Sequence, residues 1–173
     1  MDMIIKEMKN VYNVGQYLVY KKDVCKVKEI KKNHLNNKDY YVLAPITDES
    51  LIIDVPVENR CGNLRGLITK KEVEDIVLSI PKISIIKSDT KNIENEYKML
   101  LLSGRHEDLI KIIKTTYLRN KERIDNNRKS GDKDDMYFKK AENYLYNEFS
   151  IVLGMTFDEV KQYIIDKVSA MEK

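Results

Sequence analysis

The sequence predicts an α+β protein in two parts, a small antiparallel β-barrel followed by a compact all-helical domain. Three observations carry this. Four short runs of aromatic and β-branched residues, separated by turn signals, fall within residues 11–57. All three prolines, Pro45, Pro56 and Pro81, lie before residue 82. Everything after Asn92 repeats its apolar residues at helical spacing. With 173 residues, the chain suits one domain of ordinary size or two small ones.

The strand candidates come in order. Tyr17-Leu18-Val19-Tyr20 is the first, and Val24–Ile30, with imperfect alternation, is the second. Tyr40-Tyr41-Val42-Leu43 and Leu51-Ile52-Ile53-Asp54-Val55 follow. Turn signals stand between them at Val14-Gly15, Lys22-Asp23, Asn36-Asn37-Lys38-Asp39 and Thr47-Asp48-Glu49-Ser50. The β module is expected over residues 11–68. A connecting helix and linker take 69–91. Thr69-Lys70-Lys71-Glu72 forms a capping box, in which the threonine hydroxyl accepts from an orphan amide and the glutamate reaches back. Val73, Ile76, Val77 and Ile80 continue at helical spacing until Pro81 stops the helix, and Lys82–Asn92 shows no period.

The helical domain is expected over 92–173. Ile93, Tyr97, Leu100 and Leu101 make one stripe, closed by Ser103-Gly104. Leu109, Ile112, Ile113, Thr116 and Tyr117 make the next, to about Ile124, and Asp125–Asp132 reads as a polar loop. Phe138, Ala141, Leu145, Phe149 and Val152 form the third, closed by Gly154. A second capping box, Thr156-Phe157-Asp158-Glu159, opens a fourth helix carrying Val160, Ile164, Val168 and Met171.

Composition excludes several classes. Apolar residues make up 42% and charged residues 34%, with only 6 Gly, so collagen-like and low-complexity chains are ruled out. No apolar run reaches the roughly 20 residues of a membrane span. Met1–Asn10 shows no secretory signal, so a cytoplasmic protein without a membrane association is expected. Two cysteines, Cys25 and Cys61, are too few for a disulfide framework.

Charge is distributed unevenly. The net charge is +3, yet Lys111–Lys133 alone holds eight basic residues against three acidic ones, a local excess of +5. Lys111, Lys114 and Lys121 fall opposite a Leu109/Ile113/Tyr117 stripe, Arg119 and Arg123 are spaced i,i+4, and Arg128 and Lys129 extend the charge into the following loop. Such a ridge would follow a phosphate backbone, with salt-sensitive binding. It reads equally as a solvated helix face. Asp132, Asp134 and Asp135 fit a helix N-terminus, where acids are favoured, and the competing reading is a divalent-cation or nuclease site. His34 and His106 pair with no cysteine or carboxylate at ligand spacing, so no metal site is expected. The chain has no phosphate-binding glycine loop, no G-x-G-x-x-G turn and no G-x-S-x-G elbow. No catalytic activity and no cofactor are expected.

A small open sheet leaves one strand with unpaired backbone groups. Leu51–Val55, ending in Pro56, has the character of such an edge and could accept a partner strand. An internal strand covered by its neighbours is the alternative.

Several stretches together resemble the CarD/CdnL family of bacterial transcription regulators. Val14-Gly15-Gln16-Tyr17-Leu18-Val19-Tyr20 resembles its "V-G-D-x-V-V-Y" opening. Val55-Pro56-Val57-Glu58-Asn59 with Gly62-Asn63-Leu64-Arg65 resembles "V-P-x-x-N … G-x-R". Leu102-Ser103-Gly104, Leu118-Arg119, and Ala141, Leu145 and Glu148 are similar to its helical motifs. The resemblance runs from about Val11 to Lys167. It implies a Tudor/SH3-like module that pairs with the RNA polymerase β subunit, as a related module does in the transcription-repair coupling factor. It also implies a helical domain that touches promoter DNA and modulates open-complex stability. On that reading Ile30, Lys31, Lys32, Ile52, Ile53, Asp54 and Val55 dock polymerase. Lys111, Lys114, Arg119, Lys121, Arg123, Arg128 and Lys129 hold DNA phosphates, and the protein acts as a monomer. The chain departs from the family in having no Trp where many members wedge the DNA fork (about Thr90 here), and in carrying Asp54 where a basic residue is common. The alternative is an interaction module that has lost its DNA contact.

Overall fold

The computed structural model describes residues 12–172. Met1–Asn10, Val11 and Lys173, which bear on the leader reading and on both outer domain limits, lie outside them. The protein is α+β: among the described residues, a five-stranded antiparallel sheet is followed by five α-helices. It divides into two compact units, residues 1–67 and 68–173.

In the first unit, β1 (Tyr17–Tyr20), β2 (Asp23–Leu35), β3 (Lys38–Pro45), β4 (Ile53–Pro56) and β5 (Leu64–Arg65) pair in the order β4-β3-β2-β1-β5. The sheet is not the closed barrel expected, because β4 and β5 are its two ends and do not pair with each other. The β5 strand is only two residues long, bridging Val19 and Tyr20 of β1. The strands β2 and β3 run further than their apolar cores suggest, because a tight turn at Asn36-Asn37, both at positive φ, lets the hairpin zip up to Leu35 and Lys38. Register shifts between Val27 and Glu29 and between Lys31 and Leu35 account for the imperfect alternation of β2.

One sheet face gathers Leu18, Cys25, Val27, Tyr41, Leu43, Val55 and Leu64 into a core. Each buried Leu or Val contributes roughly 1.5–3 kcal/mol relative to an exposed one. Burial, and then the neighbouring Asp23 carboxylate, push the Cys25 thiol up to about 11, so it behaves as a small apolar residue. The Asn59 side chain clips the β4–β5 connection, donating to the Leu64 carbonyl (2.7 Å) and accepting from its amide (3.0 Å).

In the second unit, α1 (Lys70–Ser79) and α5 (Phe157–Met171) both begin with the expected capping boxes, at Thr69/Glu72 and Thr156/Glu159. The helices α2 (Ile93–Ser103) and α4 (Asp132–Leu153) end on Gly104 and Gly154, each at φ 64° in the left-handed region. The fifth element, α3 (His106–Asp125), lies between them in sequence. Val73 and Val77 of α1, Tyr97 of α2, Leu109 and Ile112 of α3, Ala141, Leu145 and Phe149 of α4, and Val160 of α5 share one core. A short 3₁₀ turn, Ile80–Lys82, leads into the aperiodic stretch read as a linker. That stretch is packed, with Ile83 buried and the Ile86 amide donating to the Thr115 hydroxyl (2.9 Å).

Candidate partner-docking edge and cationic helix

The strand β4 begins at Ile53, two residues later than its apolar run suggested, and bonds only to β3. Among the described residues no strand pairs with its other side. The Val57 amide donates to the Asp39 carbonyl of β3 (3.0 Å). Backbone groups alternate sides along a strand. Val55 and Ile53 therefore turn their amides and carbonyls toward β3, and Asp54 and Pro56 turn theirs outward. Pro56 has no N–H, so the Asp54 N–H is the outward donor of β4.

The expected polymerase-docking residues sort by face. Ile30 and Ile53 pack on the sheet core and Val55 is buried in it, so these three side chains are turned into the module rather than toward a partner. Ile52 is more than half exposed, beside an exposed Leu51. Lys31 and Asp54 come together, with Nζ to Oδ2 at 3.5 Å, and His34 Nε2 lies at the same distance from that oxygen. Lys32 pairs with Asp39 at 3.0 Å. His34 was not expected here. The extra length of the hairpin carries it to Asp54, and no local motif signals that.

The cationic ridge on α3 is not the free surface its spacing implied. Leu109, Ile110, Ile112, Thr115 and Thr116 are buried, whereas Tyr117 is 58% exposed. The buried face is thus rotated from the Leu109/Ile113/Tyr117 stripe. Thr115 and Thr116 tolerate burial because their hydroxyls donate to the carbonyls of Lys111 and Ile112, both at 2.7 Å. The rotation turns Lys114 inward, where its ammonium donates to the carbonyls of Ile80 (2.8 Å) and Ile83 (2.6 Å).

Arg119 and Arg123 converge on Asp134, the former through Nε at 3.0 Å and the latter through Nη1. Asp134 is 2% exposed and also accepts from the Tyr97 hydroxyl at 2.8 Å. Burial alone would raise its pKa, but hydrogen bonds from Arg123, Tyr97 and Arg119 outweigh this and hold the carboxyl below the ordinary range. Burial first, and then the bond to Asp134, push the Tyr97 phenol upward. Lys114, Arg119 and Arg123 are therefore engaged within the fold. Lys121, Arg128 and Lys129 are exposed, and Lys111 is half-buried.

The three aspartates at the start of α4 also separate. Gly131 rather than an aspartate is the N-cap, Asp135 accepts from Asn120 and Ser130, and Asp132 is exposed. All three lie in the first helical turn, where the dipole favours them. No group of metal-ligating side chains occurs among the described residues. His106 has a partner the sequence did not show: its Nε2 lies 2.7 Å from Glu148 Oε1, and the other oxygen of that buried acid accepts from the Ile68 amide (3.2 Å). Among the described residues no helix is long and apolar enough to cross a membrane.

No protein-family model matches this chain, and no curated protein matches it.

Proposed function

We propose that this chain is a non-catalytic cytoplasmic transcription regulator of the CarD/CdnL type. The five-stranded sheet acts as its Tudor/SH3-like module and docks on the RNA polymerase β subunit by strand addition at β4. The observation that carries this reading is the one-sided pairing of β4, with the Asp54 N–H directed away from β3. The exposed Ile52 and the Lys31–Asp54 pair flank that edge and would set partner choice. The helical unit contacts promoter DNA phosphates through Lys121, Arg128 and Lys129, without reading bases. Its affinity for free DNA is in the non-specific range, roughly 10⁻⁴–10⁻⁶ M. Docking on polymerase raises the local concentration at the promoter, so this suffices.

The internal engagement of Lys114, Arg119 and Arg123 favours a second reading, an interaction module without a DNA contact. Pull-down with purified polymerase subunits tests the first claim: capture of β supports it, and no capture overturns it. Charge reversal of Lys121, Arg128 and Lys129 decides between the readings, since promoter complexes that form equally well afterwards leave only the second.

A further inference from the structure

A cleft of about 200 Å³ opens beside the paired arginines, lined by Thr90, Arg119, Glu122, Arg123, Asn126 and Arg128. We propose that this cleft is a socket for a single phosphate group. Asp134 is one carboxylate shared by two guanidinium groups, so the pairing leaves positive charge over. Arg119 uses only Nε on Asp134, and among the described residues no hydrogen bond occupies its terminal nitrogens. Arg123 spends Nη1 on Asp134 and Asn120. Its guanidinium is wedged against Gly131, where an added Cβ would meet Nη1 and Cζ at 2.5 and 2.8 Å. Both forks are thus held in place before any ligand arrives, and the entropy of fixing two long side chains is already spent in folding. Their planar donors suit the oxygens of a phosphate.

Arg128 supplies a third guanidinium, exposed and free of any ion pair among the described residues. Thr90 and Asn126 add neutral donors, although one Asn126 N–H is already given to the Glu122 carbonyl at 2.9 Å. Three arginines against Asp134 behind and Glu122 on the rim leave one net positive charge, which matches a singly charged phosphate. Such a group could be a phosphodiester of a nucleic-acid strand or a free phosphate. The nucleic-acid form rests on the DNA half of the proposed function, and the socket itself does not.

Nuclear magnetic resonance on the ¹⁵N-labelled full chain tests this at constant ionic strength. Inorganic phosphate, acetate and a short oligothymidine strand are titrated in turn. Saturable shifts of the Arg119, Arg123 and Arg128 Nε–H signals and of the Asn126 amide with phosphate, but not with acetate, support the socket. Arg128→Ala should weaken phosphate binding roughly three- to tenfold, the loss of one exposed charge-assisted contact, with the unfolding midpoint unchanged. Shifts that are absent, equal with acetate, or spread evenly over the surface lysines overturn it. Saturation by phosphate and by oligothymidine identifies a phosphodiester socket. Saturation by phosphate alone keeps the socket and identifies free phosphate as its ligand.

Discussion

The Nε of Arg119 donates to the Asp134 carboxylate across 3.0 Å, joining the middle of α3 to the first turn of α4 around an acid that is 2% exposed. Arg123 and Tyr97 complete the arrangement, so α2, α3 and α4 meet at one charge. Removing that charge strands two guanidinium groups, each about a quarter exposed. Asp134→Asn should therefore cost about 3–4 kcal/mol in urea unfolding, the lower part of the range for a broken buried pair.

The same acid sets a pH dependence. Its folded pKa lies below the ordinary 3.8. Its contribution is thus complete above the unfolded value and lost as pH falls through the folded one. Stability of the native chain should fall between about pH 4.5 and pH 2, and Asp134→Asn should flatten that limb. An acid limb equally steep in the variant would contradict the assignment.

Gly131 is required for space rather than for backbone freedom, since its φ is −85°. A methyl group there collides with the Arg123 guanidinium. Gly131→Ala should cost about 1–2 kcal/mol by breaking charge-assisted bonds. In an Arg123→Ala background the same change should cost less, only what replacing the N-cap glycine costs, and a double-mutant cycle measures the difference.

Lys114 is a structural lysine. Its ammonium donates to the Ile83 carbonyl and, beside the Ile83 amide, to the Ile80 carbonyl of the 3₁₀ turn. Lys114→Met should lower stability by about 1 kcal/mol and speed exchange of the Ile86 amide. It should leave the salt dependence of DNA binding unchanged, whereas Lys121→Met should reduce it.

Glu148 ties α4 to the start of α3 through His106 and to the residue ahead of the Thr69 cap through the Ile68 amide. Glu148→Ala removes both contacts from a fully enclosed site and should cost about 2–4 kcal/mol. His106→Ala loses one contact and should cost less, by the same denaturation measurement.

The elements that sequence reading recovers are those decided by neighbours in the chain. Thr69 and Thr156 cap their helices through contacts three residues away, and Gly104 and Gly154 end theirs by local backbone preference. Pro56 leaves the edge and internal readings of β4 level, and the strand order, with β4 at one end, decides for the edge. The charge of α3 misled because its partners are remote. Asp134 is fifteen residues from Arg119, and Ile83 is thirty-one from Lys114. The rotated helix face has a local origin of another kind. A threonine that bonds back to the preceding turn hides its polarity, so Thr115 takes a core position that the apolar pattern passes over, Thr116 takes the one it is given, and Tyr117 is left exposed. The cleft at Thr90, Arg119 and Arg128 joins residues from a connecting segment, a helix and a loop, and no periodicity relates them.

Strand addition at β4 is tested most directly by taking away the outward Asp54 N–H. Binding of the purified RNA polymerase β subunit is measured by calorimetry for the native chain, Asp54→Pro and Asp54→Asn. Proline keeps an extended backbone and spares the β3 ladder, because the bonds to β3 come from Ile53 and Val55. The account predicts that Asp54→Asn binds within a few-fold of the native chain and that Asp54→Pro, still folded, loses the interaction. Equal affinity of native and Asp54→Pro chains for β would contradict it.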